Sequence, residues 1–534
     1  MRKLTAKIPW RLNARLRITL VLLLIIAFLS YQFVFIPDIF DNSLLWFDPS
    51  LKISYYLGSE VYLRNVSRLP KIQYDFDTPE TLNEKLIRES RRESIKKGFQ
   101  HAWSGYTKYA WGKDELEPVS NNGRDNFNGW GATIVDSLDT IWIMGLKDEF
   151  NKSRNFVETV DFTTSEDQIS VFETTIRYLG GLLSAYELSD DPIFLKKALD
   201  LGNALLPSFS SESGLPYNSW DLKWNNMDEF DKPWGLGNLA QVGTLQLEFM
   251  KLAQLTGNSE FFFKVNNITD ILDSATKPIP GLYPLSLDHD TGEFVGHDIS
   301  FGGSGDSFYE YLIKQYIFVG DVESIDSMHE HLIKEGKIEG RPDLLFIGEL
   351  SYGSFVGKLQ HLTCFVPGML AIGSKVLDRP KDLEVAIKLA EACYWAYEMT
   401  YTGIGPEDLW FMSSNDTYNE EEKKLLKQKG EYENLPAGVL RLSDSYILRP
   451  ETIESLFILY RVTGDKKYQE KGWKIWQAIE KWCKTPSAYS GLYNINSKDA
   501  AQNDNMESPP DLISLDTYVF NTEAHPFLRM ARTF

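Results

Sequence analysis

Beyond about residue 85 one pattern recurs along the chain: an amphipathic helix, a tight polar turn, a second helix, then a longer loop carrying Gly and Pro. The tight turns fall at Ser189-Asp190, Gly257-Asn258, Gly320-Asp321, Leu377-Asp378 and Gly464-Asp465, and the loops include GLPYNSW, GLYPLSL, GIGPEDLW and SGLYNI. Apolar residues at i, i+3 and i+4 dominate, as in LLSAYELSD, LQLEFMKLAQLTG and LFILYRVTG, whereas alternating strand patterns are short and confined to the loops. Stacked helical hairpins follow, making the chain all-α with short β-hairpins in its loops. Such hairpins stack as an open solenoid or close into a ring. The long loops all leave from one end of the hairpin, which suits a closed toroid with a pocket at one mouth.

The 534 residues, 43% hydrophobic, suffice for a large buried core. A formal net charge of −20 would repel nucleic-acid phosphates, so no nucleic-acid partner is expected. Three cysteines exclude a disulfide scaffold, and no C-x-x-C pair offers a zinc or redox site.

The charge is unevenly placed. Residues 1–17, the expected cytosolic tail, hold Arg2, Lys3, Lys7, Arg11, Arg15 and Arg17 and no acid. Ile18 to Ile36 then run without a charge, long enough to cross a hydrocarbon core of about 30 Å as a helix, and Pro37-Asp38 end the run. An uncleaved signal anchor is the expectation, since the stretch is long for a cleavable signal peptide and no A-x-A-like site follows it. With the basic cluster in the cytosol this is a single-pass type II membrane protein with its remainder in the lumen. Residues 37–85 read as a stem and 86–534 as the lumenal domain. Four sequons, at Asn65, Asn151, Asn267 and Asn415, agree with that side.

Three segments place carboxylates where chemistry could use them. Glu173 opens a helix with Arg177 one turn on; Asp306 and Glu310 stand at i and i+4 behind a glycine-rich run; Glu451 and Glu454 stand at i and i+3 after Pro450, a residue suited to the first helical position. An acid in a first turn is first of all a cap that complements the helix dipole. Three such starts, each behind a Gly- or Pro-bearing loop, point instead to a shared acidic pocket. Paired carboxylates in a pocket are the equipment of glycoside hydrolysis, one acid protonating the leaving oxygen and another activating water. The terminal FNTEAHPF crowds Thr522, Glu523 and His525 together. A threonine offers hydroxyl and carbonyl oxygen, the donors calcium takes, but no D-x-D-x-D-G loop is present.

HAWSGYTKYAWGKDELEPVS, GWGATIVDSLDTIWIMG, VFETTIRYLGGLLSAY, LQLEF, GDSFYEYLIKQY, LTCFVPGML, YILRPETIESLFILYRVTGD and FNTEAHPF together resemble glycoside hydrolase family 47, the class I α-1,2-mannosidases that trim high-mannose N-glycans in the endoplasmic reticulum and Golgi. The resemblance implies an (αα)7 barrel, inversion of configuration, and a Ca2+ cofactor bound by Thr522. It implies that Glu173 protonates the leaving group through a water, and that Asp306 or Glu451 is the general base. It extends Arg177, Glu248, Glu310, Pro450, Glu454 and Glu523 to sugar contacts or the calcium's water shell. It also implies a Cys364–Cys393 disulfide, leaving Cys483 free. The partners would be high-mannose N-glycans on glycoproteins, in the endoplasmic reticulum or Golgi membrane.

Three positions depart from the family pattern. Gln241 replaces a glutamate, and Ser304 replaces an arginine that the endoplasmic-reticulum members carry, pointing to broader, Golgi-like trimming. After Met506-Glu507-Ser508 the chain runs straight into Pro509-Pro510-Asp511-Leu512, where relatives insert a helix of roughly four turns. The ring should then lack one inner helix, either because a coding segment has been lost from the sequence or because the deletion is real. An enzyme is expected. The alternative is a catalytically impaired, lectin-like factor that reads mannose trees on misfolded glycoproteins.

Overall fold

The turn chemistry of the chain generates its hairpins. Asp190, Gly257, Asp378 and Gly464 all adopt left-handed backbone conformations at the ends of helices, which turns the chain out of the last helical turn. The next helix starts at once. The Asp191 side chain accepts from the Ile193 N–H with Pro192 at the first helical position, and the Asn258 side chain accepts from the Glu260 N–H. Gly320-Asp321 lies outside the described residues.

The computed structural model describes residues 70–223, 235–316, 323–414, 416, 435–504 and 518–528. All belong to the unit spanning Glu60–Phe534, the other unit being Met1–Ser59. The 18–36 stretch, Asn65 and Asn415 lie outside the described residues, and among those described no helix is long and apolar enough to cross a membrane.

In chain order the helices are α1 (Leu82–Tyr109), α2 (Ala132–Asp136), α3 (Leu138–Ile143), α4 (Lys147–Thr159), α5 (171–189), α6 (Pro192–Leu205), α7 (Leu239–Gly243), α8 (Gln246–Thr256), α9 (Ser259–Ser274), α10 (Asp306–Tyr316), α11 (Glu323–His331), α12 (Val366–Val376), α13 (Pro380–Glu398), α14 (Glu451–Thr463) and α15 (Lys467–Trp482). An inner set runs α2–α3, α5, α7–α8, α10, α12, α14, each packed on the next, while α1, α4, α6, α9, α11, α13 and α15 form the outer layer. Burial separates the layers. α12 is buried from Val366 through Ser374, whereas the outer α9 buries one stripe of Phe261, Val265, Ile268 and Leu272. The strands are two to four residues long and pair antiparallel in small sheets, several directly before inner helices: Ile169–Ser170 before α5, Gly237–Asn238 before α7, and Lys358–Gln360 before the turn leading into α12.

Two expectations need correction. The helical layer begins before residue 86: α1 starts at Leu82 behind a Thr81–Glu84 capping box, Ile72 is buried, and the Tyr74 N–H donates to Arg461 O at the end of α14. Pro450 is the residue before the first helical one, not the first itself. Among the described residues the inner set has six members, and α14 and α2–α3 do not pack as neighbours. Both carry incompletely buried stripes, Ile453, Phe457 and Tyr460 on α14 and Thr133, Asp136, Thr140 and Ile143 on α2–α3. Residues 505–517, where the notable deletion falls, lie outside the described residues.

Candidate active site

Each acidic helix start is built by its own loop. Ser170 caps α5, its hydroxyl accepting from the Glu173 N–H at 3.3 Å. Immediately afterwards α5 widens into a π-turn over Thr174–Leu179, an irregularity that recurs at functional sites. Arg177 lies beneath: its Nε donates to Glu173 Oε2 at 2.9 Å, its Nη1 lies 3.0 Å from Glu523 Oε2 and 3.6 Å from Asp136 Oδ2, and the Phe127 ring covers it at 5.0 Å. One guanidinium thus holds acids from three elements.

α10 starts at Asp306 after a tight loop in which Ser304 has a positive φ of 75°. Burial, reinforced by the charges of Glu451 and Glu310, pushes the Asp306 carboxyl up to about 7 despite the Ser307 N–H and Arg449. One turn on, Glu310 pairs with Lys314, whose Nζ also donates to Asn521 O at 3.3 Å. On α14, Glu451 Oε2 is 2.9 Å from His361 Nδ1 and Oε1 is 3.9 Å from Arg449 Nη1; Arg449 Nε donates to Glu407 Oε2 at 2.5 Å. His361 Nε2 lies 2.7 Å from the Tyr397 hydroxyl, which fixes the ring. Burial, then the Glu310 charge, raises Glu454.

A hairpin of strands Tyr518–Phe520 and Pro526–Leu528 brings its turn to these acids. Asn521 Nδ2 donates to Ile176 O and to Glu248 Oε1, both at 2.9 Å, and Asn521 Oδ1 accepts from the Glu523 and His525 N–H groups. The Thr522 N–H donates to the Tyr311 oxygen at 3.3 Å, and the Tyr311 hydroxyl donates to Glu248 Oε1 at 2.5 Å. His525 sits between Asp139 Oδ2 at 2.6 Å and Asp136 Oδ1 at 2.9 Å. Burial opposes charge on its ring, but the two carboxylates outweigh it and hold the imidazolium up to about 10.

Polar contacts run from Glu173 through Arg177 and Glu523 to the Asn521 turn, and from there through Lys314 to Glu310; Glu451 is held separately by His361 and Arg449, and the charges of Glu310 and Glu451 act on Asp306 and Glu454 nearby. Sequence reasoning passed over Asp136, Asp139, His361, Arg449, Glu407, Lys314 and Asn521. Those lying in the motifs GWGATIVDSLDTIWIMG and YILRPETIESLFILYRVTGD stood in plain view, but nothing in their spacing said that they face the acids. Cys364 and Cys393 are joined in a disulfide, and Cys483 is buried with its thiol pushed up to about 12 by that burial. Asn151 is exposed on α4. Asn267 is half-buried on α9, its Nδ2 donating to Ser213 O. Gln241 lies in α7, its N–H held by the Asn238 side chain.

Among the described residues no three carboxylate, imidazole or thiol groups converge as a ready metal cage. The Thr522 N–H nonetheless meets the Tyr311 hydroxyl that donates to Glu248, and Glu248 Oε2 is buried with no hydrogen-bond partner. Such a floor fits a hard cation that binds threonine oxygens and reaches carboxylates through water.

Two layers of paired helices with carboxylates gathered at the inner helix starts are the frame of a sugar-cleaving α-barrel. The family described as Glycosyl hydrolase family 47 matches residues 98–529, and the chain belongs to it. It is similar to the mannosyl-oligosaccharide 1,2-alpha-mannosidase MNS1 of Arabidopsis thaliana, 38% identical with 84% of this chain and 80% of that one covered. The endoplasmic reticulum mannosyl-oligosaccharide 1,2-alpha-mannosidase of Homo sapiens is also 38% identical, with 82% of this chain and 64% of that one covered. Among solved structures, an alpha-1,2-mannosidase from Trichoderma reesei superposes with a TM-score of 0.74 at 32% identity, covering 82% of this chain and 99% of that one.

Proposed function

We propose that this chain is a mannosyl-oligosaccharide 1,2-alpha-mannosidase that hydrolyses terminal α-1,2-linked mannose from high-mannose N-glycans of glycoproteins in the secretory pathway. The observation that carries the reading is the gathering of acids from separate helix starts: Arg177 joins Glu173 to Glu523, and the charges of Glu310 and Glu451 act on the buried Asp306 and Glu454. Glu173, oriented by Arg177, delivers a proton to the leaving oxygen through a water. Glu451 acts as the base that takes a proton from water: His361 and Arg449 both face its carboxylate and hold it in place. Asp306, raised to about 7, is protonated for part of the working range and suits a hydrogen bond to sugar. Attack on the face opposite the leaving group gives inversion.

Thr522, through hydroxyl and carbonyl, would hold Ca2+, with Glu248, Glu310, Glu454 and Glu523 as water-shell acceptors. When bound, the ion supplies Lewis-acid orientation of sugar hydroxyls. Arg177 keeps Glu523 turned toward this floor, and Lys314 keeps the Asn521 carbonyl beside it. Retention by an 18–36 signal anchor, in the endoplasmic reticulum or Golgi membrane, accords with the basic tail, and Asn151 is the sequon best presented for a glycan.

Glu173→Gln tests the assignment. It is expected to lower mannose release from a Man9 glycan by at least about 10²-fold, with the unfolding temperature unchanged. Release at the wild-type rate would refute the role of Glu173.

A further inference from the structure

The turn that presents Thr522 and Glu523 is tied down near its tip by Asn521 and His525. Gly180 permits that approach, since a Cβ there would stand 2.5 Å from Asn521 Nδ2. A separate device grips the hairpin at its other end. The Leu528 N–H donates to Glu187 Oε2 at 2.7 Å, Leu528 O accepts from Lys251 Nζ at 2.6 Å, and Lys251 and Glu187 pair with each other at 3.0 Å. The two side chains are 4% and 7% exposed. Glu187 stands near the end of α5 and Lys251 in the middle of α8, so two adjacent inner helices close on both backbone polar groups of one residue.

A buried ion pair contributes little net stability over an apolar pair of the same volume. What it provides is direction. An apolar pair could slide against the strand. A carboxylate on the N–H and an ammonium on the C=O fix one residue and therefore the register of the whole hairpin. The seven residues from Thr522 to Leu528 turn that register into the depth of the Thr522 backbone, whose N–H meets the Tyr311 hydroxyl bound to Glu248.

We propose that Glu187 and Lys251 are positioning residues that set the depth of the Thr522 turn, and with it the affinity of the floor for a divalent cation. The inference rests on the reading of Thr522 as the cation ligand. Neither residue belongs to the acid network, and neither would touch sugar or ion.

The test is a titration of the folded protein with calcium chloride, read as the rise in unfolding temperature, which needs no substrate. Wild type, Lys251→Met, Glu187→Gln and the apolar pair Glu187→Leu/Lys251→Met are compared; the last leaves no unpaired charge in the core. Lys251→Met and the double variant should need at least about tenfold more calcium for half-maximal stabilisation, the size of effect typical of residues that orient a ligand. Glu187→Gln keeps an acceptor for the Leu528 N–H and should stay within about threefold of wild type. Release of mannose by the double variant should recover at saturating calcium. The proposal is overturned if Lys251→Met and the double variant titrate like wild type, whatever their calcium-free unfolding temperatures, or if Glu187→Gln weakens calcium as much as they do. A wild type that calcium does not stabilise would instead overturn the Thr522 reading itself.

Discussion

At the residue scale the acids of this pocket are unequal, and the inequality comes from what faces each one. Glu451 meets His361 and Arg449, whereas Asp306 is buried near other carboxylates and is raised to about 7. A carboxyl raised in the folded state holds its proton longer there than in the unfolded chain, where it titrates near about 3.9. Stability therefore falls as pH rises from about 4 to about 7, and the deficit is complete above that. Asp306→Asn should accordingly stabilise the calcium-free protein at pH 8, by up to about 4 kcal/mol for three pKa units, and leave it unchanged near pH 4. Urea unfolding at the two pH values measures this; equal effects at both would contradict the burial argument. That Asp306, Glu310, Glu451 and Glu454 share a pocket was legible, because each follows a Gly- or Pro-bearing loop at a helix start. The partner of Glu451 was not, since His361 meets it only through the packing of segments distant in sequence, whereas Lys314 stands four residues beyond Glu310 on the same helix.

At the scale of elements, the tight turns and amphipathic spacing announced the hairpins, and the left-handed residues at Asp190, Gly257 and Gly464 show why. The terminal hairpin was far less legible. FNTEAHPF reads as an ordinary terminal turn until Asp136 and Asp139 of the first inner helices are seen on either side of His525. The charged ring is a pin between the hairpin and α2–α3. His525→Ala would leave the buried Asp139 without its cation and Asp136 with Arg177 alone, and should cost about 3–5 kcal/mol at neutral pH. Denaturant unfolding reads this directly, and a loss below about 1 kcal/mol would mean that the pin contributes little.

At the scale of the whole molecule the inner layer does not close among the described residues. Among the described residues α14 packs on α12 but not on α2–α3, and its stripe of Ile453, Phe457 and Tyr460 stays half-buried, Tyr460 against Phe76, whereas α12, flanked on both sides, is buried from Val366 through Ser374. The deletion after Ser508 was legible because the motifs on either side survive; which surfaces it uncovers was not, because that depends on how α14 and α2–α3 face each other. The folded protein should bind an apolar dye such as ANS at this stripe, and Ile453→Gln with Phe457→Gln should remove most of the fluorescence. A wild type that leaves the dye dark would show that the stripe is covered.

The most direct measurement for the account as a whole is mass spectrometry of a Man9 glycan incubated with the purified protein, with calcium, with excess chelator, and after calcium is restored. The account predicts stepwise loss of α-1,2-linked mannose with calcium, none with chelator, and recovery on restoration. A glycan that stays intact in the presence of calcium, or is trimmed equally in its absence, would contradict it.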